Sequence, residues 1–179
     1  MSAAAAPEVV VLVDSADRET GRAEKLWAHR DGGVRHRAFS VMLRNGAGEW
    51  LLQRRAAGKY HFPGLWTNAC CSHPRPGEAT EAAAKRRLRE ELGAEASLRE
   101  LFVFEYRAHS PATGLSEHEV DHVFLGELPD GAALAPDPEE VAETRWISTA
   151  ALSREIAARP DAFTPWFLTL WKRMETEFP

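Results

Sequence analysis

The side chains best suited to chemistry lie within residues 62–93, which open with a stretch rich in prolines and glycines. Cys71 and His73 stand two positions apart there, in a polar setting that suits a reactive thiol. The prolines and glycines predict a shaped loop without regular structure. We therefore interpret this stretch as an active-site loop, although free cysteines are more often small buried hydrophobes. The adjacent Cys70 is interpreted as a packing residue.

The loop leads into a segment that favours a charged helix. Residues 78–92 contain no glycine or proline and are rich in alanine, arginine, leucine and glutamate. The segment stops before Gly93, a typical helix C-cap. Composition alone indicates that the charged face of this helix is solvated surface. The spacing of its charges carries more information.

That spacing resembles the Nudix box. Its positions are filled here by Glu78, Arg86, Leu88, Glu90, Glu91 and Gly93. Two positions depart from the family pattern, because Ser72 replaces the first glycine and Arg87 replaces a glutamate. A lost carboxylate removes a metal ligand used in hydrolysis, and a gained cation adds a phosphate donor. The change therefore favours binding a diphosphate over cutting it.

Three further strings narrow the resemblance. They are WTNACCSHP at residues 66–74, Tyr106-Arg107-Ala108 and Glu117-His118-Glu119-Val120. With the degenerate box, they are similar to type I isopentenyl diphosphate isomerase, a Nudix-fold family that does not hydrolyse its diphosphate. The resemblance spans residues 25–166. It implies an α/β/α sandwich with a mixed β-sheet, and the interconversion of isopentenyl and dimethylallyl diphosphate in isoprenoid biosynthesis.

The resemblance also implies two metal ions. The ligands of the first fall on His29, His36, His73, Glu117 and Glu119, a set suited to Mn²⁺, Mg²⁺ or Zn²⁺. Glu91 is implied to hold a second ion, Mg²⁺, against the diphosphate. Period-two alternation independently predicts that Glu117 and Glu119 share one face of a strand. Spacing alone leaves another interpretation open, with hydrogen-bonded or surface histidines and solvent-facing carboxylates on an edge strand.

The remaining histidines receive no ligand role. They are His61, His109, His118 and His122. Because side chains alternate along a strand, His118 is expected to point away from the face shared by Glu117 and Glu119.

Moving a double bond along an allylic diphosphate requires a proton added at one carbon and removed from another, so two acid–base groups must flank the substrate. The resemblance implies Cys71 on one side and Glu119 on the other, with Tyr106 exchanging a proton with Glu119. The ring of Trp166 is expected either to face the cationic carbon or to pack in the core. The diphosphate is expected to bind the cations Arg55, Lys59, Arg86 and Arg87.

Composition argues against several classes of function. A formal charge of −5 disfavours a nucleic-acid or membrane-surface partner. No apolar run is long enough to cross a bilayer, and residues 1–7 lack the features of a signal peptide, so we expect a cytoplasmic enzyme. The two adjacent cysteines are expected to be reduced thiols. The implied partner is a small diphosphate, and a monomer is expected.

The predicted elements form one domain. Residues 1–7 are predicted to be a disordered tail, and residues 8–179 a single Nudix-fold isomerase domain. Strands are predicted at 8–14, 36–44, 50–55, 97–106, 117–128 and 141–147, a strand or extended lead-in at 25–29, and helices at 78–92, 148–158 and 164–177. Residues 15–21 are predicted to be a turn, and 36–55 a β-hairpin. Periodicity alone gives an α/β or α+β class, which the resemblance narrows to the sandwich.

Two other functions stay open. A Nudix pyrophosphohydrolase acting on a nucleotide diphosphate would hold Mg²⁺ with Glu78, Glu90 and Glu91. It would have no need of Cys71, so replacing that cysteine with alanine separates the two enzymes. A metal- or nucleotide-sensing Nudix domain would bind its ligand without turnover.

Overall fold

A computed structural model describes residues 7–178 of the chain as nine β-strands, four α-helices and one 3₁₀ turn. In chain order the elements are β1 Val9–Val13, β2 Glu19–Glu24, α1 Lys25–Ala28, β3 His36–Asn45, β4 Trp50–Arg55, β5 Trp66–Thr67, β6 Cys70–Ser72, α2 Thr80–Leu92, β7 Leu98–His109, β8 Ser116–Leu128, β9 Val141–Ile147, α3 Thr149–Ala158, the 3₁₀ turn Pro160–Ala162 and α4 Pro165–Glu177.

Strand β3 is the centre of the sheet. It pairs in parallel with β8 along its whole length, with His36 opposite Glu119, while β1 and β6 also pair with it. Strand β4 meets β3 only beside the turn, at Arg44 opposite Trp50, and then pairs with β9. The predicted hairpin is therefore correct at its turn and wrong beyond it, because each strand has a longer partner elsewhere.

Alternating side chains on β3 serve two separate cores. Phe39, Val41 and Leu43 pack on one face with Leu88 and other apolar residues of α2. Met42 points to the opposite face, into a core shared with α3 and α4. Helices thus cover both faces of a sheet with parallel and antiparallel pairs, which confirms the predicted α/β/α sandwich.

The segment predicted as a strand at residues 25–29 is instead the single helical turn α1. Its first amides are capped by a side chain, since Glu24 accepts hydrogen bonds from the amides of Leu26 at 2.7 Å and Trp27 at 2.8 Å. An aspartate, asparagine, serine or threonine is the usual residue at this position. A one-turn helix with a glutamate cap leaves no periodic pattern in the sequence.

The active-site loop is also more regular than predicted. Two short strands, β5 and β6, interrupt it, and Cys71 of β6 lies opposite Ser40 of β3. The predicted turn at 15–21 overlaps the start of β2, which begins at Glu19 and pairs with β1. In both places pairing with a distant or neighbouring strand overrides the local signal of turn residues.

The three long helices, α2, α3 and α4, have the predicted last residues. Helix α2 ends at Gly93, whose φ of 62° is the left-handed conformation that glycine adopts most readily. Its first residue is Thr80, two positions later than predicted. Ser148 caps α3 by accepting a hydrogen bond from the amide of Ala151, and Pro165 opens α4.

Residues 1–6 and residue 179 lie outside the described residues, and with them nearly all of the segment predicted to be a disordered tail. The assignment of 8–179 to a single domain stays a prediction. Within residues 7–178, none of the helices combines the length and apolarity needed to cross a membrane.

Candidate active site

A cavity of about 230 Å³ lies beside the core that α4 covers. Tyr106 and Trp166 belong both to that core and to the cavity wall, whereas most of the other lining side chains are polar. They include imidazoles, carboxylates, cations and the thiol of Cys71. A polar pocket with an aromatic wall suits a small ligand that has a charged end and an apolar end.

Strand register brings one row of functional side chains together. Glu119 on β8 lies opposite His36 on β3 and opposite Tyr106 on β7. Side chains of directly opposed residues project from the same face of a sheet. The row is tightly bonded, because the Tyr106 hydroxyl donates to Glu119 Oε2 at 2.5 Å and His36 Nε2 lies 3.2 Å from Glu119 Oε1.

Four side chains form the centre of the site, His29, His36, His73 and Glu119, whose potential ligand atoms all lie within 4.8 Å of one another. Backbone carbonyls fix the orientations of the His29 and His36 rings from the side opposite the centre. His29 Nδ1 lies 2.6 Å from the carbonyl of Lys25, and His36 Nδ1 lies 2.7 Å from the carbonyl of Val34. Since a carbonyl only accepts, each Nδ1 carries a hydrogen, and in its neutral form each ring presents the Nε2 lone pair to the centre.

Glu117, which the resemblance implied to be a metal ligand, borders this centre. Its side chain is 2% exposed, with Oε2 at 2.9 Å from His29 Nε2 and Oε1 at 2.7 Å from His61 Nε2. Neither contact has good hydrogen-bond alignment, so both Glu117 oxygens and His29 Nε2 are buried without a partner. Orphaned acceptors and a converging lone pair fit a divalent cation. We refer to His29, His36, His73, Glu117 and Glu119 as the imidazole centre.

Burial and charge separate the pKa values in the imidazole centre. Burial lowers the pKa of His73 to about 4, which keeps its ring neutral near pH 7. Burial also opposes protonation of His29, but Glu117 outweighs it and raises the pKa of His29 to about 9. For Glu119, burial is outweighed by the adjacent imidazoles of His36 and His73, which hold the carboxyl pKa well below its usual range. Two carboxylates close together give the centre a negative charge that a cation would neutralise, and a cation bound at His29 Nε2 would displace the proton there.

The two cysteines face different surroundings. Cys71 lines the cavity, and burial raises the pKa of its thiol to about 12. Cys70 is fully buried in the core under α2, in agreement with its predicted packing role. Both are free thiols. Cys71 and Glu119 lie on β6 and β8, the strands on either side of β3, and both line the cavity.

Three of the four predicted phosphate cations line the cavity: Arg55, Lys59 and Arg87. Arg87 donates to Glu91 at 2.7 Å and to Glu140 at 3.0 Å, and Glu140 also binds Lys59. Arg55 is anchored by the carbonyls of His61 and Phe62. This part of the cavity wall therefore carries three cations, two of which are paired with carboxylates.

The fourth predicted cation, Arg86, does not line the cavity. Its guanidinium donates to both oxygens of Glu78, at 2.7 and 2.8 Å, and it contacts Glu90. Glu91, the predicted Mg²⁺ residue, is 4% exposed and lies behind Arg87, with its second oxygen bonded to Gln53 at 3.1 Å. The carboxylates of the box thus serve ion pairs in this structure.

Trp166 both packs in the core and faces the cavity, the two positions that were expected as alternatives. It is 2% exposed and packed in the α4 core, and its indole nitrogen donates to Thr67 Oγ1 at 3.0 Å. Its ring also forms part of the cavity wall, 6.4 Å from the ring of Tyr106 and 6.0 Å from that of His61. Core packing fixes the orientation in which this ring meets a ligand.

Several cavity residues were missed by sequence reasoning: Glu8, Lys25, His61, Asp121 and Glu140. Asp121 had a signal, since it follows Glu117 and Glu119 at period two, and burial raises its pKa well above the usual range. His61 was given no role and lies in a loop without periodicity. By contrast, His118 is confirmed to point away, toward Glu105 at 2.8 Å. The edge-strand alternative for the two glutamates is wrong, because β8 is paired on both sides.

Comparison with known proteins shows the superfamily of this chain. Residues 34–167, well over half of the chain, match the family described as NUDIX domain. A crystal structure from Deinococcus radiodurans aligns with a TM-score of 0.73 at 28% identity, covering 93% of this chain and 98% of that one. A MutT protein from Methanosarcina mazei, at 19% identity, shares the fold with a TM-score of 0.65 over 80% of this chain and 94% of its own. The chain belongs to the Nudix superfamily.

Sequence relatives narrow this class. A Nocardia farcinica protein named isopentenyl-diphosphate Delta-isomerase is 54% identical over 157 residues, which cover 88% of this chain and 89% of the relative. A protein of the same name from Halorhodospira halophila is 46% identical over 91% of this chain and 93% of its own length. Within the Nudix superfamily, the chain therefore belongs to the type I isopentenyl-diphosphate isomerase family.

Proposed function

We propose that this protein interconverts isopentenyl diphosphate and dimethylallyl diphosphate by adding a proton at one carbon and removing one from another. One observation supports this most: Cys71 and the bonded pair Glu119 and Tyr106 face the same cavity, next to a group of metal-type ligands. An isomerase of this kind needs two proton-transfer groups around one substrate. A nucleotide hydrolase needs neither the thiol nor the phenol.

The imidazole centre would hold a divalent ion through its three Nε2 atoms and its two carboxylates. Imidazole and carboxylate ligands suit Mn²⁺, Zn²⁺ or Mg²⁺, in keeping with the donor set. When bound, the ion would supply positive charge that fixes Glu119 and Glu117 in their ionised forms. Because Tyr106 donates to Glu119 Oε2, a proton can pass between the phenol and the carboxylate at that atom.

Proton transfer would proceed across the apolar end of the substrate. The thiol of Cys71 is protonated near neutral pH because burial raises its pKa to about 12, whereas Glu119 is ionised. These states provide a donor in Cys71 and an acceptor in Glu119, with the roles reversed in the reverse reaction. Trp166 would present its ring to the tertiary carbocation-like state, since the ring quadrupole attracts positive charge. The surrounding aromatic wall would exclude water from that state.

The diphosphate would bind the cations of the cavity wall. Lys59, Arg87 and Lys25 each carry an ammonium or guanidinium group there, and each is paired with a carboxylate that the diphosphate would displace. Arg55 is tied to backbone carbonyls and would add a fixed positive charge. Glu91 is the predicted residue for a second ion, Mg²⁺, which would add positive charge for the diphosphate, and holding it would require release of Glu91 from Arg87 or Gln53. Arg86 stays a predicted contact that would require release from Glu78.

The test is proton NMR of the purified, Mg²⁺- and Mn²⁺-supplemented protein with isopentenyl diphosphate in heavy water. We expect the dimethylallyl isomer to appear with solvent deuterium incorporated. Cys71→Ala should lose activity by about 10³-fold because one of two acid–base groups is removed. Cys70→Ala, a change in the neighbouring packing thiol, should retain most of it.

A different result would point to the alternative enzyme. Phosphate released from nucleotide diphosphates, at a rate that Cys71→Ala leaves unchanged, would establish pyrophosphohydrolysis and exclude the isomerase assignment. The substrate in either case is a small diphosphate. A cytoplasmic location stays a prediction that rests on the composition and the two free thiols.

A further inference from the structure

Glu117 lies between the imidazole rings of His29 and His61. His29 Nε2 lies 2.9 Å from its Oε2, and His61 Nε2 lies 2.7 Å from its Oε1. Both contacts have hydrogen-bond length, but neither is well aligned, and both carboxylate oxygens are buried. One carboxylate therefore has two competing partners and satisfies neither.

The two partners of Glu117, His29 and His61, differ in their position relative to the group of metal-type ligands. His29 belongs to the group of four side chains whose ligand atoms lie within 4.8 Å of one another, and His61 does not. With His29 Nε2 committed to a metal ion, His61 Nε2 is a donor within reach of Glu117, at 2.7 Å from Oε1. The two carboxylate oxygens thus face two different groups, Oε2 toward the centre and Oε1 toward His61.

His61 is held as firmly as a positioning group requires. Its side chain is 10% exposed, and its ring lies 4.3 Å from the ring of Tyr60, 5.7 Å from that of Phe62 and 6.0 Å from that of Trp166. Its backbone carbonyl accepts a hydrogen bond from Arg55 at 3.1 Å. A ring fixed on both sides can hold a carboxylate in one orientation.

We infer that His61 is a positioning residue, which donates from Nε2 to Glu117 Oε1 and so presents Glu117 Oε2 to the metal ion of the imidazole centre. The inference rests on the proposed function only in requiring a divalent ion at that centre. Groups that hydrogen-bond a metal ligand from behind commonly change metal affinity by about 10- to 100-fold when removed.

The probe is Mn²⁺ alone, titrated by electron paramagnetic resonance into chelator-treated protein without substrate. His61→Phe keeps a ring but has no donor, and should weaken Mn²⁺ binding by about 10- to 100-fold. His61→Gln keeps an N–H donor and should recover most of that loss. His118→Phe is the matched control, because it removes another buried histidine bonded to a glutamate, Glu105, outside the cavity. It should leave Mn²⁺ affinity unchanged.

A double substitution tests the pair directly. Once Glu117→Gln has removed the carboxylate, adding His61→Phe should cost no further Mn²⁺ affinity. Wild-type affinity in His61→Phe would overturn the inference, as would an equal loss in His118→Phe or an undiminished loss in the Glu117→Gln background. If His61→Phe does not fold, His61→Leu against His61→Gln makes the same comparison. Because the readout is Mn²⁺ affinity, a protein that lacks isomerase activity still gives a clear result.

Discussion

Two charged regions border the same cavity and satisfy their carboxylates in different ways. One is the imidazole centre. The other is an ion-pair network around α2, which consists of Lys59, Glu78, Arg86, Arg87, Glu90, Glu91 and Glu140. In the network, both oxygens of Glu78, Glu91 and Glu140 contact a donor. In the centre, both Glu117 oxygens are buried without one.

This difference separates two kinds of ligand site. A buried carboxylate without a donor is costly, so the imidazole centre is suited to take up a cation before any substrate arrives. In the network around α2 both oxygens of Glu140 already have a donor, so a diphosphate that binds Lys59 and Arg87 would displace Glu140 from them. We therefore expect metal binding to be independent of substrate at the centre and coupled to the diphosphate at Glu91.

The largest expected effect comes from exchanging one carboxylate in each region for an amide. Glu119→Gln should lower the isomerase rate by about 10²- to 10⁴-fold, since it removes an acid–base group, and should weaken Mn²⁺ binding without substrate. Glu91→Gln should leave that Mn²⁺ binding intact and raise the KM for isopentenyl diphosphate in Mg²⁺. NMR rates and Mn²⁺ titrations measure both. Loss of Mn²⁺ binding in Glu91→Gln would remove the distinction between the regions.

An intermediate effect is expected on thermal stability. Mn²⁺ at about 100 times its Kd should stabilise the folded protein by about 2.7 kcal/mol, which for a chain of this size raises Tm by about 5–10 °C. His36→Ala should abolish this shift because it removes a ligand from the centre. Arg87→Ala, a change in the network, should retain it. Differential scanning calorimetry with and without a chelator distinguishes the two, and an equal loss in both variants would contradict the comparison.

The smallest effect concerns acid stability. Burial raises the pKa of Glu140, but Lys59 and Arg87 outweigh it and lower that pKa to about 2. A depressed carboxyl pKa stabilises the fold above the unfolded value near 4.5, and this contribution is lost as the pH falls from there toward 2. Because the group is partly exposed, Glu140→Gln should cost only about 1 kcal/mol near neutrality.

The cost of Glu140→Gln should shrink between pH 4.5 and pH 2, as followed by urea unfolding. Glu143→Gln is the control, since Glu143 pairs at 3.0 Å with Arg54 at an exposed site. It should change stability little at any of these pH values. A constant difference between wild type and Glu140→Gln down to pH 2 would show that the ion pairs of Glu140 do not carry the effect.

Local chemistry determined the parts of the fold that could be predicted. The end of α2 follows from a glycine at a left-handed position, and the shared face of Glu117 and Glu119 follows from strand alternation. The parallel pairing that sets His36 opposite Glu119 joins segments far apart in sequence, and no local pattern reports it. The resemblance implied that His36 is a metal ligand, and the pairing of β3 with β8 explains why its side chain lies beside Glu119.

Two of the residues missed at the site share a physical cause. His61 and Glu140 lie in connecting segments, where side-chain direction depends on packing against distant elements rather than on a period. Their roles emerge only when the carboxylate or cation they contact is located. Arg86 shows the converse, because a position in the box suggested a phosphate contact and the structure pairs it with Glu78 instead.

The helical turn α1 joins two tasks within five residues. Lys25 turns its side chain to the cavity, while its carbonyl accepts the hydrogen of His29 Nδ1. One added or deleted residue in a helix rotates every following side chain by about 100°. Substitution of an exposed residue such as Trp27 is therefore compatible with both tasks, whereas a change in the length of the segment is not.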